Sequence, residues 1–282
     1  MRPAKRLPAF PWDLLGRYRE QAAAHPDGLV DLSIGTPVDP VAPAVRDALT
    51  SAANSPGYPQ TAGTPQLRDA AAGWLAREHG VSVDPGAVLP VIGTKEIIAS
   101  LPALLGCGPE DTVVYPELAY PTYGIGARLI GARAVAADGL ASLGPERVRL
   151  VWVNSPANPT GRVLPAAHLR KMADWTRERG TVLASDECYL GLAWEAEPVS
   201  VLHPEVSGGS SGGLLAVYSL SKRSNLAGYR AGFVTGDPAL VAELLEVRRH
   251  AGLMMPAPIQ AAMAAALGDD DPAAEQRARY AA

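Results

Sequence analysis

A lysine beside an apolar strand pattern is the first candidate for chemistry. Lys222 follows the run Leu214–Ser219 and opens the segment Lys222–Gly232, which carries two arginines and two glycines. A lysine amine has a pKa of roughly 10.4 in water, so burial or a nearby cation must lower it before the amine acts as a nucleophile. A lone lysine after a strand ordinarily faces solvent. The flanking sequence instead favours an amine that could hold an aldehyde as an imine.

An aspartate follows another strand pattern. Asp186 comes directly after Thr181–Ser185, and ligands gather at the carboxyl ends of strands in α/β sheets. A carboxylate there could bind a protonated ring nitrogen through a charge-assisted hydrogen bond. Taken alone, Asp186 could equally cap a helix. Tyr189 stands three residues later, close enough to reach the same ligand from the following turn.

Two loops could supply further donors. Asn158 follows the strand pattern Leu150–Asn154, and the prolines and glycine around it would aim its amide, although an ordinary turn has the same composition. Gly93–Glu96 follows Ala87–Ile92 and opens an apolar helix. The free backbone N–H groups of a helix start attract phosphate, and the Thr94 hydroxyl could add a bond. By itself this pattern is no more than a helix start.

Aromatic residues follow a further strand pattern, in the run Tyr115–Tyr123. A ring there could stack on a flat heterocycle, and core packing is the alternative of equal weight. An amine, a carboxylate, amide and hydroxyl donors, a phosphate cradle and a stacking ring are together what pyridoxal 5'-phosphate (PLP) requires of a protein.

The composition excludes several other classes. The chain has 282 residues, 48% of them apolar, and a formal net charge of −4 without a basic stripe, which argues against nucleic-acid binding. No apolar stretch is long enough to span a membrane, and Pro8, Pro11 and Asp13 interrupt any signal core. Cys107 and Cys188 lack metal-ligand spacing and are expected to be small buried residues in a reduced, cytoplasmic protein.

Short apolar runs alternate with helical patterns, which predicts an α/β fold with a mostly parallel sheet. The strand candidates are Ala87–Ile92, Thr112–Tyr115, Leu150–Asn154, Thr181–Ser185, Leu214–Ser219 and Gly232–Thr235. Helices are predicted from Pro65 to a stop at Gly80, from Pro165 to Arg179 and from Pro238 to His250.

The ends of the chain depart from this alternation. Residues 1–40 are rich in proline and are expected to form an N-terminal arm and part of a small domain, and residues 41–272 a large cofactor-binding domain. Residues 273–282 have a helical composition without a terminal cap or glycine, so we expect the chain to stop inside a helix.

The motifs occur in a recognisable order. Gly-Thr-Lys-Glu, Tyr-Pro-x-Tyr, Asn-Pro-Thr-Gly, Asp-x-x-Tyr and Ser-x-Ser-Lys succeed one another over about residues 30–270. In this order and spacing they resemble the class I/II aminotransferases of PLP fold type I. The resemblance implies a large domain with a mostly parallel seven-stranded sheet flanked by helices, a small domain left incomplete by the early end of the chain, and a homodimer with amino acid and 2-oxo acid substrates.

The resemblance also implies roles for matching residues. Lys222 would hold the cofactor aldehyde and then move the proton from the substrate Cα to the cofactor carbon. Asp186 would pair with the pyridine nitrogen, Tyr189 and Asn158 would bind the phenolic oxygen, and Tyr120 would stack on the ring. Contacts to the phosphate would come from Thr94, Lys95, Ser219 and Arg230.

Three further positions match family segments. Tyr58 corresponds to the tyrosine that reaches the phosphate of the neighbouring subunit. Gly35 corresponds to the backbone that lies over the substrate, and Asn158 would also touch the substrate carboxylate.

The family's closing segment and its carboxylate-binding arginine find no match here. None of Arg248, Arg249, Arg277 or Arg279 stands in the corresponding context. We therefore expect this chain to bind PLP poorly and to turn over slowly without that segment.

Within the family, three phrases resemble actinobacterial-type succinyldiaminopimelate aminotransferases. They are residues 32–40, 116–123 and 221–230. This likeness implies amino transfer between glutamate and the 6-oxo group of N-succinyl-2-amino-6-oxopimelate, in lysine biosynthesis. Arg223 is a candidate for binding a distal carboxylate, with a solvated surface role at least as plausible. The alternatives are another class I/II aminotransferase, a non-catalytic PLP-fold sensor, and a truncated pseudoenzyme that only dimerises.

Overall fold

A seven-stranded sheet forms the centre of the computed structural model, which describes residues 2–140 and 147–282. The strands are β1 Val88–Ile92, β2 Thr112–Tyr115, β3 Arg133–Ala136, β4 Val148–Asn154, β5 Val182–Asp186, β6 Leu214–Ser219 and β7 Ala231–Gly236. Their order across the sheet is β1-β7-β6-β5-β4-β2-β3. All pairs are parallel except those of β7, which runs antiparallel to both of its neighbours. The predicted mostly parallel α/β sheet is confirmed.

The predicted strands lie within two residues of the observed ones, but β3 was not predicted. It is four residues long, forms the edge of the sheet and is only half-buried, so its sequence lacks the continuous apolar run of the central strands. The end of β5 matters for the site. Asp186, predicted to end this strand, is its last residue, and it lies in register with Asn154 of β4.

Helices cover both faces of the sheet. The helices of the described chain are α1 Gly16–Ala23, which lies in the N-terminal arm, α2 Pro43–Ser51, α3 Pro65–His79, α4 Thr94–Leu104, α5 Thr122–Ile130, α6 Ala166–Glu178, α7 Pro204–Ser207, α8 Leu220–Arg223, α9 Pro238–Ala251, α10 Ala257–Gly268 and α11 Asp271–Ala281. The start and stop of α3 follow from its sequence. The Thr64 hydroxyl accepts from the Leu67 N–H, and Gly80 ends the helix in the left-handed conformation.

Two apolar layers hold the helices against the sheet. One contains Trp74 of α3, Tyr218 of β6 and Phe233 of β7. The other contains Ile97 of α4 and Trp152 of β4. Both faces of the central strands are thereby buried, which is why these strands are nearly continuous in apolar residues.

The N-terminal arm contrasts with this core. Its first 40 residues include α1 and two short 3-10 turns, and the described part of the arm contains no buried residue. Part of it nevertheless reaches the carboxyl edge of the sheet, where Pro11–Trp12 and Ser33–Gly35 border a cleft. Among the described helices, none combines the length and apolar character needed to cross a membrane.

Candidate active site

A cleft of about 810 Å³ lies at the carboxyl ends of the parallel strands. Its walls come from the loops after β1, β2, β4, β5 and β6 and from the N-terminal arm. The structure brings ten of the eleven predicted site residues to this cleft: Gly35, Thr94, Lys95, Tyr120, Asn158, Asp186, Tyr189, Ser219, Lys222 and Arg230. Tyr58 is the exception.

Asp186 is a buried carboxylate that faces the cleft. Only 5% of its surface is exposed. Its Oδ2 accepts from the Tyr123 hydroxyl at 2.7 Å, and its Oδ1 accepts from the Cys188 N–H at 3.1 Å. Burial raises the pKa of Asp186, and these donors oppose the shift. No cation pairs with this carboxylate among the residues that the structure describes.

Tyr123 is a site residue that the sequence analysis missed. It is fully buried in α5 and packs on Trp152, with the ring centroids 5.2 Å apart. Burial and the nearby Asp186 carboxylate raise the pKa of Tyr123 far above its usual value, so its hydroxyl remains a donor. Its signal was present in the Tyr-Pro-x-Tyr motif, where Tyr123 stands three residues after Tyr120.

Asn154 was also missed, and it connects the two loops beside the cleft. Its Nδ2 donates to the backbone oxygens of Asp186 at 2.8 Å and Pro156 at 3.1 Å. Its Oδ1 accepts from the Asn158 N–H at 2.7 Å. The position of Asn158 is therefore tied to the strand that ends in Asp186. A polar residue at the end of a buried strand was the available signal.

Asn158 and Tyr189 meet across the cleft wall. The Asn158 Nδ2 donates to the Tyr189 hydroxyl at 3.5 Å, a long hydrogen bond. Burial, together with the neighbouring Cys188 and Asp186, raises the pKa of Tyr189 to about 12. Both side chains are thus neutral donors near neutral pH, as binding of a phenolate oxygen requires.

Lys222 lies in α8, a single turn whose N-cap is Ser219. The Ser219 hydroxyl accepts from the Ser221 N–H at 3.1 Å and so caps this turn. The Lys222 amine donates to the backbone oxygen of Gly35, which places the predicted substrate-covering segment directly over it. Burial lowers the pKa of Lys222. That shift favours the free amine that attacks an aldehyde.

A candidate anion cradle borders the same cleft. Thr94 is the first residue of α4, and Ser219 and Arg230 border the same space. The Arg230 guanidinium rests against Gly93, where a side-chain Cβ would lie 2.1 Å from its Nη2. Gly93 also has a φ of 76°, a conformation that favours glycine. The close approach of arginine, hydroxyl and helix start fits a phosphate group.

One placement adds to the sequence interpretation and another differs from it. The Lys95 amine borders the cleft and lies among aromatic rings, 5.5 Å from the centroid of Phe10, 5.7 Å from Trp12 and 5.9 Å from Tyr120. Cys188 borders the cleft, and its thiol donates to the Thr94 hydroxyl at 3.4 Å, so it is not simply a small core residue.

Arg223 neither borders the cleft nor lies on a solvated surface. Its side chain is 9% exposed, its Nη2 lies 2.5 Å from Asp270 Oδ1, and its Nη1 donates to the Ala266 oxygen at 2.7 Å. The guanidinium also stacks over Trp74 at 5.2 Å. These contacts hold α8 against α10 and α11, and both earlier interpretations of Arg223 are wrong.

Tyr58 lies on the protein surface. It is 94% exposed and does not border this cleft. Its predicted contact is with the phosphate of a neighbouring subunit and stays a prediction.

The cleft residues fit PLP. A buried carboxylate that lacks a cation among the described residues would be compensated by a protonated pyridine nitrogen. The cradle formed by Thr94, Ser219 and Arg230 fits the phosphate. Lys222, with its lowered pKa, stands in the same cleft for the aldehyde.

Comparison with known proteins finds aminotransferases in each case. The family described as aminotransferase class I and II matches residues 27–282. A probable aminotransferase of Mycobacterium tuberculosis is 62% identical over 276 residues, which cover 98% of this chain and 66% of that protein. The 4-dedimethylamino-4-oxo-anhydrotetracycline transaminase OxyQ of Streptomyces rimosus is 59% identical over 277 residues, covering 98% of this chain and 77% of that protein.

A solved structure extends the likeness to the backbone. The probable N-succinyldiaminopimelate aminotransferase of Thermus thermophilus superposes with a TM-score of 0.82 at 31% identity, over 95% of this chain and 75% of that one. The chain thus spans about two thirds to three quarters of the length of these relatives. The two relatives from the sequence comparison do not carry the succinyldiaminopimelate name that the sequence phrases suggested.

Proposed function

The chain belongs to the class I and II aminotransferase family, whose members use PLP, and we propose that it is a PLP-dependent aminotransferase. One observation carries this proposal. An amine with a lowered pKa, Lys222, and a buried carboxylate, Asp186, border the same cleft beside an anion cradle at the start of α4. PLP, when bound, supplies the electron sink for the chemistry at the substrate Cα.

Lys222 is the catalytic residue in this proposal. Its amine would hold the aldehyde of the cofactor and would move a proton at the substrate Cα. The hydrogen bond to the Gly35 oxygen aims the amine at the segment that covers the substrate. Burial keeps the amine in its basic, uncharged form more readily than water would.

The other cleft residues bind and orient. Asp186 would hold the pyridine nitrogen in its protonated form, and the Tyr123 hydroxyl donates to this carboxylate. Asn158 and Tyr189 would bind the phenolic oxygen, and Asn158 would also orient the substrate carboxylate. Tyr120 would stack on the ring. The N-terminus of α4 with Thr94 and Lys95, together with Ser219 and Arg230, would hold the phosphate.

We propose glutamate as amino donor and N-succinyl-2-amino-6-oxopimelate as acceptor. The three sequence phrases and the fold of the Thermus thermophilus protein, at 31% identity, support this pair. A second candidate acceptor is a large cyclic ketone, favoured by the 59% identity with the tetracycline-pathway transaminase OxyQ. Both proposals share the same cofactor site and differ only in the group that carries the oxo function.

We also propose that the protein works as a homodimer. The exposure of Tyr58, at 94%, supports a role outside its own cleft, where it can reach the phosphate bound by a second copy. Gly35 then lies over the substrate from within the same chain.

A half-reaction tests the proposal. Protein incubated with PLP is expected to turn yellow, to lose the colour with borohydride, and to release 2-oxoglutarate when glutamate is added. Lys222→Ala is expected to remain colourless and inactive, with Lys171→Ala, at an exposed lysine of α6 outside the cleft, as the matched control that keeps the colour. A Lys222→Ala variant that releases 2-oxoglutarate at the original rate would contradict the proposal.

The acceptor is then identified by comparing the rates with different oxo compounds. Glutamate is supplied with N-succinyl-2-amino-6-oxopimelate, with oxaloacetate, with an aromatic 2-oxo acid and with the oxo-anhydrotetracycline. The highest kcat/KM is expected for the succinyl substrate, and a higher value for the cyclic ketone would favour the second candidate.

A further inference from the structure

A fully buried arginine lies behind the anion cradle. Arg248, near the end of α9, has a side chain with 0% exposure. Its Nη1 and Nη2 donate to the two carboxylate oxygens of Glu96 at 2.7 and 3.0 Å. Such a fork-shaped pair satisfies the geometry of both groups, but burying it costs free energy that a pair of apolar residues would not. Neither residue borders the cleft.

Glu96 is the third residue of α4, the helix whose start forms part of the cradle. Its carboxylate also accepts from the Ile92 N–H at 3.2 Å and from the Ser100 hydroxyl at 3.1 Å. The first turn of a helix carries partial positive charge and attracts anions. Glu96 and a bound phosphate would therefore compete for the same helix end, and their charges would repel each other.

We propose that Arg248 is a positioning residue for the phosphate of the cofactor. It neutralises Glu96 and holds that carboxylate towards α9, so the positive end of α4 remains available to the phosphate. The inference rests on the proposed PLP-dependent function. It assigns to Arg248 a role through Glu96 rather than contact with substrate or cofactor.

Comparison of ligands with and without phosphate tests this role. The affinities of the cofactor-depleted chain for PLP and for pyridoxal are measured by equilibrium dialysis, with inorganic phosphate as competitor. Arg248→Met is expected to weaken PLP binding by about tenfold, the scale of a unit charge at a partly buried helix start, and to leave pyridoxal binding unchanged. Adding Glu96→Gln to Arg248→Met is expected to restore PLP affinity.

Two controls separate charge from packing. Arg249→Met removes the neighbouring exposed arginine, which pairs with Glu246, and is expected to leave both affinities unchanged. Arg248→Lys keeps the charge without the fork and is expected to keep the original ratio of PLP to pyridoxal affinity, even if the fold is less stable. If Arg248→Met does not fold, Arg248→Gln, which keeps a polar donor but removes the charge, is the decisive variant and is expected to show the same tenfold loss of PLP affinity.

Different failures have different meanings. If the unmodified chain binds PLP no more tightly than pyridoxal, the proposed cofactor site itself is refuted. If the unmodified chain prefers PLP but Arg248→Met weakens both ligands equally, or the double variant does not recover, Arg248 is only structural and the inference is overturned. A tenfold fall in the ratio of PLP to pyridoxal affinity in Arg248→Lys would also overturn the inference.

Discussion

Acid should destabilise this protein through one histidine. His79 ends α3, and its ring packs edge-on against Trp74 with the centroids 4.8 Å apart. Its Nε2 is buried and makes no hydrogen bond to the described part of the chain. Burial, and after it the Arg223 guanidinium, lowers the pKa of His79 from 6.5 to about 4, while Asp270 opposes the shift. The folded protein therefore resists protonation of this ring.

The direction in which pH changes the stability follows from proton uptake by the folded and unfolded chains. Below pH 6.5 the unfolded chain binds a proton at His79 that the folded chain does not bind until about pH 4, so stability falls as the pH decreases through this window. With these two pKa values, protonation removes about 2 kcal/mol of the free energy of unfolding between pH 7 and pH 5. The full shift corresponds to about 3 kcal/mol, reached near pH 4.

Urea unfolding of the protein and of His79→Phe at pH 7, 6 and 5 measures this contribution. Phenylalanine keeps an aromatic edge against Trp74 and cannot titrate. The difference in unfolding free energy between the two proteins should change by about 2 kcal/mol from pH 7 to pH 5 in favour of the variant. If the difference in unfolding free energy stays constant from pH 7 to pH 5, His79 is not a buried ring that remains neutral in the folded protein.

Three further changes test the site and its support. Tyr123→Phe removes a donor to the buried Asp186 carboxylate. PLP affinity, measured by absorbance titration, should fall by about tenfold, the usual scale of a hydrogen bond to a charged group. Unchanged affinity would contradict a role for this hydrogen bond. Gly93→Ala places a methyl group 2.1 Å from Arg230 Nη2, in a backbone conformation (φ 76°, ψ 152°) that favours glycine. It should lose about 1–3 kcal/mol of stability in urea unfolding and lose PLP binding far more than pyridoxal binding. Arg223→Met breaks the ion pair with Asp270 and should lower the free energy of unfolding by about 3 kcal/mol. The KM of each oxo acid should stay unchanged. A selective rise in the KM of dicarboxylic substrates would show instead that Arg223 contacts the substrate.

Much of the fold could be predicted because the central strands are covered on both faces. Their apolar runs are nearly continuous, and the helices between them carry caps such as Thr64 and Gly80. The edge strand Arg133–Ala136 could not be found this way, since a short, half-exposed strand has no distinctive pattern. The reversed direction of β7 was also beyond the sequence, because an apolar run does not record which way it points.

The site was predictable for a related reason. Residues at the carboxyl ends of parallel strands meet at one edge of the sheet, so Asp186, Asn158 and Lys222 could be placed together from their position after strand patterns. Contacts between distant elements were not available from that rule. The pairing of Arg248 with Glu96 and of Arg223 with Asp270 depends on how helices pack, and neither pair is close in sequence.

Asp186 and Glu187 show what strand geometry adds to a motif. Two neighbouring carboxylates end the same apolar run, and the residue types alone do not say which one serves a ligand. Successive side chains of an extended chain point to opposite faces, so only one can face the cleft. Asp186 does so and meets the Tyr123 hydroxyl, whereas Glu187 is 2% exposed and accepts from the Val201 N–H at 2.7 Å on the other side. Burial raises the pKa of both carboxyls, but only Asp186 has open space beside it for a cationic ring. The alternation of side chains along the extended chain therefore decides which carboxylate faces the cleft. An insertion of one residue into β5 would exchange the positions of the two acids.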